Sequence, residues 1–180
     1  TAGEFGDSAF ITELDVVFAN LYFAAVDAVA RGGTVPVAWR PLAESRGDAR
    51  IEPIQFALAG MNAHINHDLP MAVVETCEAL GTKPDAGSHH SDYQEIDPLL
   101  DAAEQKIREA FEPAEIASAD RHAAVLNLIA DWGIKGARDV AWESAVALWE
   151  VRHIKPAYDT LAAALAEASA LASRALLVVV

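Results

Sequence analysis

Apolar residues recur along the chain at helical spacing. Phe10, Leu14, Val17, Phe18, Leu21, Ala25 and Val29 follow an i, i+3, i+4 rhythm, and Arg31-Gly32-Gly33 supplies a helix stop. Val16, Ala19 and Phe23 add apolar mass to the other side of the same segment, which predicts a central rather than a peripheral helix. Trp39 to Arg46 reads as a short helix, Ile54 to Asp68 as a strong one, and Pro70 to Leu80 as a separate one closed by Gly81. A further long helix runs through Leu99, Ala103, Ile107 and Phe111 and starts at Asp92 or at an Asp97 cap followed by Pro98. Ala123 to Trp132, Gly136 to His153 and Pro156 to about Leu176 complete the set. No run of strict alternation competes. The pattern predicts an all-α fold, a single-domain helical bundle of about six to seven helices over residues 1–180, without repeats or an internal linker.

Composition narrows the partners. The 180 residues are 53% apolar and carry a formal charge of −14, so phosphate backbones and anionic lipid heads are repelled, and neither nucleic acid nor a membrane is an expected partner. The chain shows no signal peptide, and no uninterrupted apolar run approaches the roughly 18 residues of a membrane span. A lone Cys77 excludes an internal disulfide and a Cys-built zinc or iron–sulfur site. A reduced, cytoplasmic setting is the expectation. A small-molecule substrate fits this composition, and a homo-oligomer is compatible with it.

One segment resists a purely structural explanation. Gly60-Met61-Asn62-Ala63-His64-Ile65-Asn66-His67-Asp68-Leu69-Pro70 puts amides, imidazoles and a carboxylate into an apolar helix. At about 100° per residue, Ile54, Leu58, Met61 and Ile65 define the core face. Gln55, Asn62 and Asn66 then line one shoulder, His64 and Asp68 line the other, and His67 points farthest from the core. Polar groups at such a boundary need specific partners, since leaving one unpaired costs about 1–3 kcal/mol. Either His64 and Asp68 tie the helix to its neighbours around a break at Pro70, or the carboxylate orients the imidazole as a base or metal ligand. The run Ser88-His89-His90-Ser91-Asp92-Tyr93 favours chemistry, because loops on rigid scaffolds carry reactive groups. It supplies His90 as a third metal ligand beside His64 and Asp68, and Tyr93 as a further catalytic candidate; with Asp92 only capping the next helix, it would be a solvated loop.

Elsewhere Asp15 is the acidic group nearest the main stripe of the first helix and joins the catalytic candidates. On the helix after Gly136, the residues Val140, Ala141, Ser144, Leu148 and Val151 form the expected inner face, flanked by Trp142 and Trp149. Arg152 falls beside that face, where Asp15 or Asp68 would be its partner, unless it snorkels past the bundle end. The candidate substrate-binding set is Asn62, Asn66, Trp39, Trp142 and Arg152. Glu150 and His153 make a single ExxH spacing on the outward side, short of the paired motifs and extra Glu that a di-iron site requires. His122, in a charged helix start, reads as surface.

Phosphate loops, nucleophile elbows and His-Glu-x-x-His are absent from the sequence, so nucleotide, flavin and zincin chemistry are not expected. The His67-Asp68 dipeptide resembles the helical metal phosphohydrolases of the HD type, which use another His upstream where this chain first offers His64. His64-x-x-x-Asp68 is similar to a ligand pair of the all-helical zinc-dependent phospholipase C and P1 nuclease fold, without the downstream His pattern.

A wider resemblance spans nearly the whole chain. The blocks Leu14 to Phe23, Ala38-Trp39-Arg40-Pro41-Leu42, Gln55 to Pro70 and Ala137-Arg138-Asp139-Val140-Ala141-Trp142 resemble an uncharacterised, mainly actinobacterial helical family, a domain of unknown function. This implies a helical fold, with Asn62, His64, Asn66 and Asp68 on the family's signature and His67 at a variable position. Members usually carry another helical stretch before the first block, which implies that this chain is part of a longer protein. No activity comes with the resemblance.

The residues together point to a small-molecule enzyme. The preferred reaction is metal-assisted hydrolysis of an ester or phosphoester, with one divalent ion on His64, Asp68 and His90 and Asp15 as a further ligand or base. The alternatives are a metal-free cyclase or isomerase in which His64 moves protons, and a binding or scaffold protein whose polar shoulder only fixes helix packing.

Overall fold

A computed structural model describes residues 5–110 and 133–179 of the chain. Helix α1 spans Ser8–Arg31; the Asp7 carboxylate caps it by accepting from the Phe10 amide at 3.0 Å, and Gly32 closes it at a positive φ of 65°. A left-handed residue there costs glycine nothing, and its amide returns to the last turn. A 3₁₀ turn at Val37–Trp39 leads into α2 (Arg40–Ser45). Helix α3 (Pro53–Ala63) opens with a reciprocal Glu52/Gln55 capping box. A π-helical turn at His64–Asp68 then carries the chain into α4 (Leu69–Leu80). The remaining elements are α5 (His89–Gln94), α6 (Asp97–Ala110), α7 (Ile134–Val151) and α8 (Lys155–Leu176). The fold is an all-α bundle, with no strand among the described residues.

The expected break before Pro70 does not occur. A proline inside an α-helix removes one amide and its ring collides with the carbonyl four residues back, here that of Asn66. The π turn relieves this conflict by widening one turn, so that the Leu69 amide reaches the His64 carbonyl five residues back. One helical rod therefore runs from Pro53 to Leu80 with its phase shifted midway.

The main core joins Phe10, Leu14 and Val17 of α1 to Leu69, Val73 and Cys77 of α4 and Trp142, Ala145 and Leu148 of α7. A smaller core packs Ile54, Leu58 and Ala59 of α3 on Leu176 and Leu177 at the end of α8. Helix α1 is less central than its composition predicts: Val16, Phe23 and Val26 are 52%, 59% and 42% exposed. By length and composition alone α1 also qualifies as a membrane span. On α7 the inner face is rotated from the expected one, because Trp142 and Trp149 are buried while Val140 is 60% exposed. Two indoles seven residues apart remove far more apolar area from water than Val140 and Val151 could, and they set the orientation. Helix α6 starts at Asp97, with Leu99 turned to solvent. The expected helix over 123–132, Phe111 and His122 lie outside the described residues.

Asp92 fixes the turn that leads into α1. Its carboxylate accepts the amides of Gly6 (2.8 Å) and Asp7 (2.7 Å) and the Ser88 hydroxyl (2.7 Å). Burial opposes ionisation of Asp92, but those donors prevail and hold its pKa below the ordinary 3.8. Gly6 packs so closely on this clasp that an added Cβ would stand 2.8 Å from Ser88 Cβ. Gly6→Ala is therefore expected to cost about 1–3 kcal/mol by overpacking. Urea denaturation checks this, and an unchanged midpoint would mean that the amino-terminal segment is not held there.

Candidate functional site

The phase shift at the π turn assembles a buried carboxylate between two imidazoles. His64 Nδ1 lies 3.0 Å from Asp68 Oδ2, and His67 Nδ1 lies 2.8 Å from Oδ1. His67, expected to point away from the core, is swung in by the extra residue of the wide turn. From the 3₁₀ turn, the Trp39 indole donates its Nε1–H to the same Oδ2 at 3.0 Å. Asp68 is only 3% exposed. Burial raises its pKa, but the hydrogen bonds and charges of His64 and His67 outweigh that and hold the group below the usual 3.8.

An ionised Asp68 only accepts, so each imidazole presents Nδ1–H to it. In the neutral ring this leaves Nε2 as the basic nitrogen. For His64 that nitrogen makes no hydrogen bond among the described residues. The ring is fixed by stacking on Phe18 at 3.6 Å between centroids and 2° between planes, with the Tyr22 and Trp39 rings 5.5 and 6.2 Å away. It lines a cavity of about 320 Å³ whose other walls are Tyr22, Trp39, Leu42, Phe56, Ala57, Gly60 and Met61. An oriented imidazole facing an apolar cavity can accept or deliver a proton.

Other predicted residues lie elsewhere. His90 is exposed on α5, stacks on Trp142 at 4.7 Å and makes no side-chain hydrogen bond among the described residues. It lines a larger cavity of about 600 Å³ with Lys135, Asp139 and Glu143, which shares no residue with the one at His64. That larger space holds no carboxylate bonded to its imidazole, and Lys135 is occupied by Asp139 and Asp97, so chemistry is better served at His64. The expected ligand set His64, Asp68 and His90 is not assembled, and no cluster of three His, Cys, Asp or Glu side chains suited to a metal occurs among the described residues. The reason is local: both Asp68 oxygens are committed to rings of their own neighbourhood, while packing on Trp142 holds His90 on another helix.

Asp15 is exposed and stands outside the cluster; partial desolvation raises its pKa, and the Arg138 charge opposes that. Tyr93 is buried, donates its hydroxyl to the Arg138 carbonyl at 2.8 Å, has its pKa raised by that burial, and lines neither cavity. Asn62 donates to the Ser169 carbonyl (2.8 Å) and Ser173 hydroxyl (2.9 Å), and Asn66 donates to Asn62 (2.9 Å). Both serve the contact of α3 with α8, not the cavity. Trp142 belongs to the core. Arg152 pairs with neither Asp15 nor Asp68; it donates to the Trp149 carbonyl and lies over that ring at 3.6 Å. His89 is buried, with Nδ1 at 2.9 Å from the Lys83 carbonyl and its ring stacked on Phe10, so the Ser88–Tyr93 run is helix and clasp rather than reactive loop. Burial pushes the Cys77 thiol up to about 12, which leaves it inert.

Two contacts are not encoded in the local spacing of residues. Trp39 touches Asp68 rather than only offering a ring to substrate, and Arg138 is the arginine that finds a buried carboxylate, Asp97, at 2.8 Å. The signal for Arg138 was its place one heptad before Ala145, on the Trp142 side of α7.

No curated protein and no solved structure is significantly similar to the chain. One family model covers residues 1–179 and is described as a family of unknown function, DUF5995. The chain, with its His64–Asp68–His67 cluster, belongs to that family.

Proposed function

We propose that the protein is a metal-free acid–base enzyme acting on a small apolar molecule, with His64 Nε2 as the group that moves the proton. The observation that carries this reading is the pairing of a cavity-lining imidazole, whose Nε2 has no hydrogen-bond partner among the described residues, with a buried, ionised Asp68 on its Nδ1. Asp68 fixes the tautomer and stabilises the imidazolium that forms when His64 takes a proton. Phe18 and Trp39 prevent the ring from turning, which keeps the proton-transfer direction constant. Isomerisation or cyclisation through proton abstraction and return suits a cavity with apolar walls, where a developing charge is weakly solvated. Activation of water for ester hydrolysis would use the same nitrogen.

The test is a turnover screen of enolisable ketones and activated esters on the purified protein, with and without EDTA. Turnover is expected to survive the chelator and to fall at least about 100-fold in His64→Gln, while the melting temperature changes little. Activity lost in EDTA and restored by a divalent cation would favour metal-assisted hydrolysis instead. Ligand binding without any turnover would favour the binding-protein alternative.

A further inference from the structure

The cavity at His64 adjoins a second one of about 300 Å³ between α1, α2 and α3. Tyr22, Trp39, Leu42 and Phe56 line both, so the two share a wall, and His64 borders only the first while Arg46 borders only the second. Apart from these two residues the walls carry no ionisable side chain but the Tyr22 phenol, and no Asp or Glu lines either part. Arg46 is exposed at the end of α2, and no carboxylate lies within ion-pair distance of it among the described residues. In a chain of net charge −14, an exposed guanidinium lining an apolar cavity, with no carboxylate among the cavity's lining residues, is a selective feature. An amine-headed ligand would meet a like charge there, and a neutral one would gain nothing from it. A carboxylate would receive two parallel N–H donors.

We infer that the two adjoining cavities bind an elongated apolar small molecule with a carboxylate at one end, the carboxylate on Arg46 and the far end of the apolar body beside His64. The size of the two spaces falls at the lower end of the range for small-molecule sites. Trp39 couples the two halves: its ring is a wall of both cavities and its Nε1–H holds Asp68. The inference rests on the acid–base reading only for what happens at the His64 end; binding itself is independent of it.

Titration calorimetry and tryptophan fluorescence with decanoate, decylamine and decanol, on the full chain below micellar concentrations, test this. Decanoate is expected to bind at least tenfold more tightly than decylamine. Arg46→Gln should weaken decanoate at least tenfold and leave decanol unchanged, whereas Arg46→Lys should keep the preference for the acid. Leu42→Trp, which fills the shared stretch, should weaken all three, with circular dichroism confirming that it is folded. Equal affinity for acid and amine, or decanoate binding indifferent to either Arg46→Gln or a folded Leu42→Trp, overturns the inference. Decanoate binding should survive His64→Gln. Arg46-dependent binding in a protein that turns nothing over would therefore sink the acid–base reading and support this one.

Discussion

Asp68→Ala is expected to lower the unfolding free energy by about 3–5 kcal/mol, the range for removing one partner from a buried charged network. The loss has three parts, because the Trp39 indole N–H and the Nδ1–H groups of His64 and His67 all lose their acceptor inside the protein. Asp68→Asn keeps the shape and one acceptor oxygen, so it should cost less. The effect is also pH-dependent, with a defined sign. The folded-state pKa of Asp68 is depressed below 3.8, so its contribution is fully present above the ordinary carboxylate range and is lost as pH falls through the lowered value. Chemical denaturation from pH 7 to pH 3 should show the native protein weakening below about pH 4, with the gap to Asp68→Asn closing in the same window. A gap constant down to pH 3 would mean that ionisation of Asp68 does not stabilise the fold.

Arg138→Met should be nearly as damaging, by about 3 kcal/mol or more. The guanidinium joins α7 to two other elements: Nε bonds Asp97 at the start of α6, Nη2 bonds the Tyr93 carbonyl at 2.5 Å, and the group lies 3.9 Å from the centroid of the Tyr93 ring. Methionine fills much of the volume but leaves the Asp97 carboxylate, 7% exposed, with Lys135 at 3.5 Å as its one cation among the described residues. Removing both charges in Arg138→Met/Asp97→Leu should recover a large part of the loss, since the penalty lies in the orphaned charge. Thermal and urea denaturation of the two single variants and the double variant measure that coupling. Additive losses would show that the pair is not coupled.

The two sites share a physical cause and differ in how visible they were. The segment from Asn62 to Pro70 stood out because polar side chains interrupted an apolar rhythm. Assigning His64 to Asp68 required only their spacing of four. His67 was misplaced because a constant 100° per residue was assumed, and the rule fails where Pro70 forces the helix to widen by one residue. Asn62 and Asn66 both have the specific partners their position demands; Asn66 finds Asn62 four residues back, but Asn62 finds Ser169 and Ser173, over a hundred residues away on α8. His90 was grouped with His64 on residue type alone. Its stacking on Trp142 could not be foreseen while Trp142 was assigned to the flank of α7 rather than the core.

Near neighbours along the chain suffice for helical periodicity, the glycine stops at Gly32 and Gly81 and the His64–Asp68 pair, and they narrow the start of α6 to Asp92 or Asp97, of which the fold takes Asp97. What only the tertiary structure decided is which face of each helix is inward and which groups meet across helices. Those outcomes depend on competition for the same interior, in which Trp142 and Trp149 displace Val140, α1 leaves Phe23 in water, and Trp39 rather than a third imidazole reaches the carboxylate. Local spacing cannot encode that competition, because burial is won by comparing residues distant in sequence.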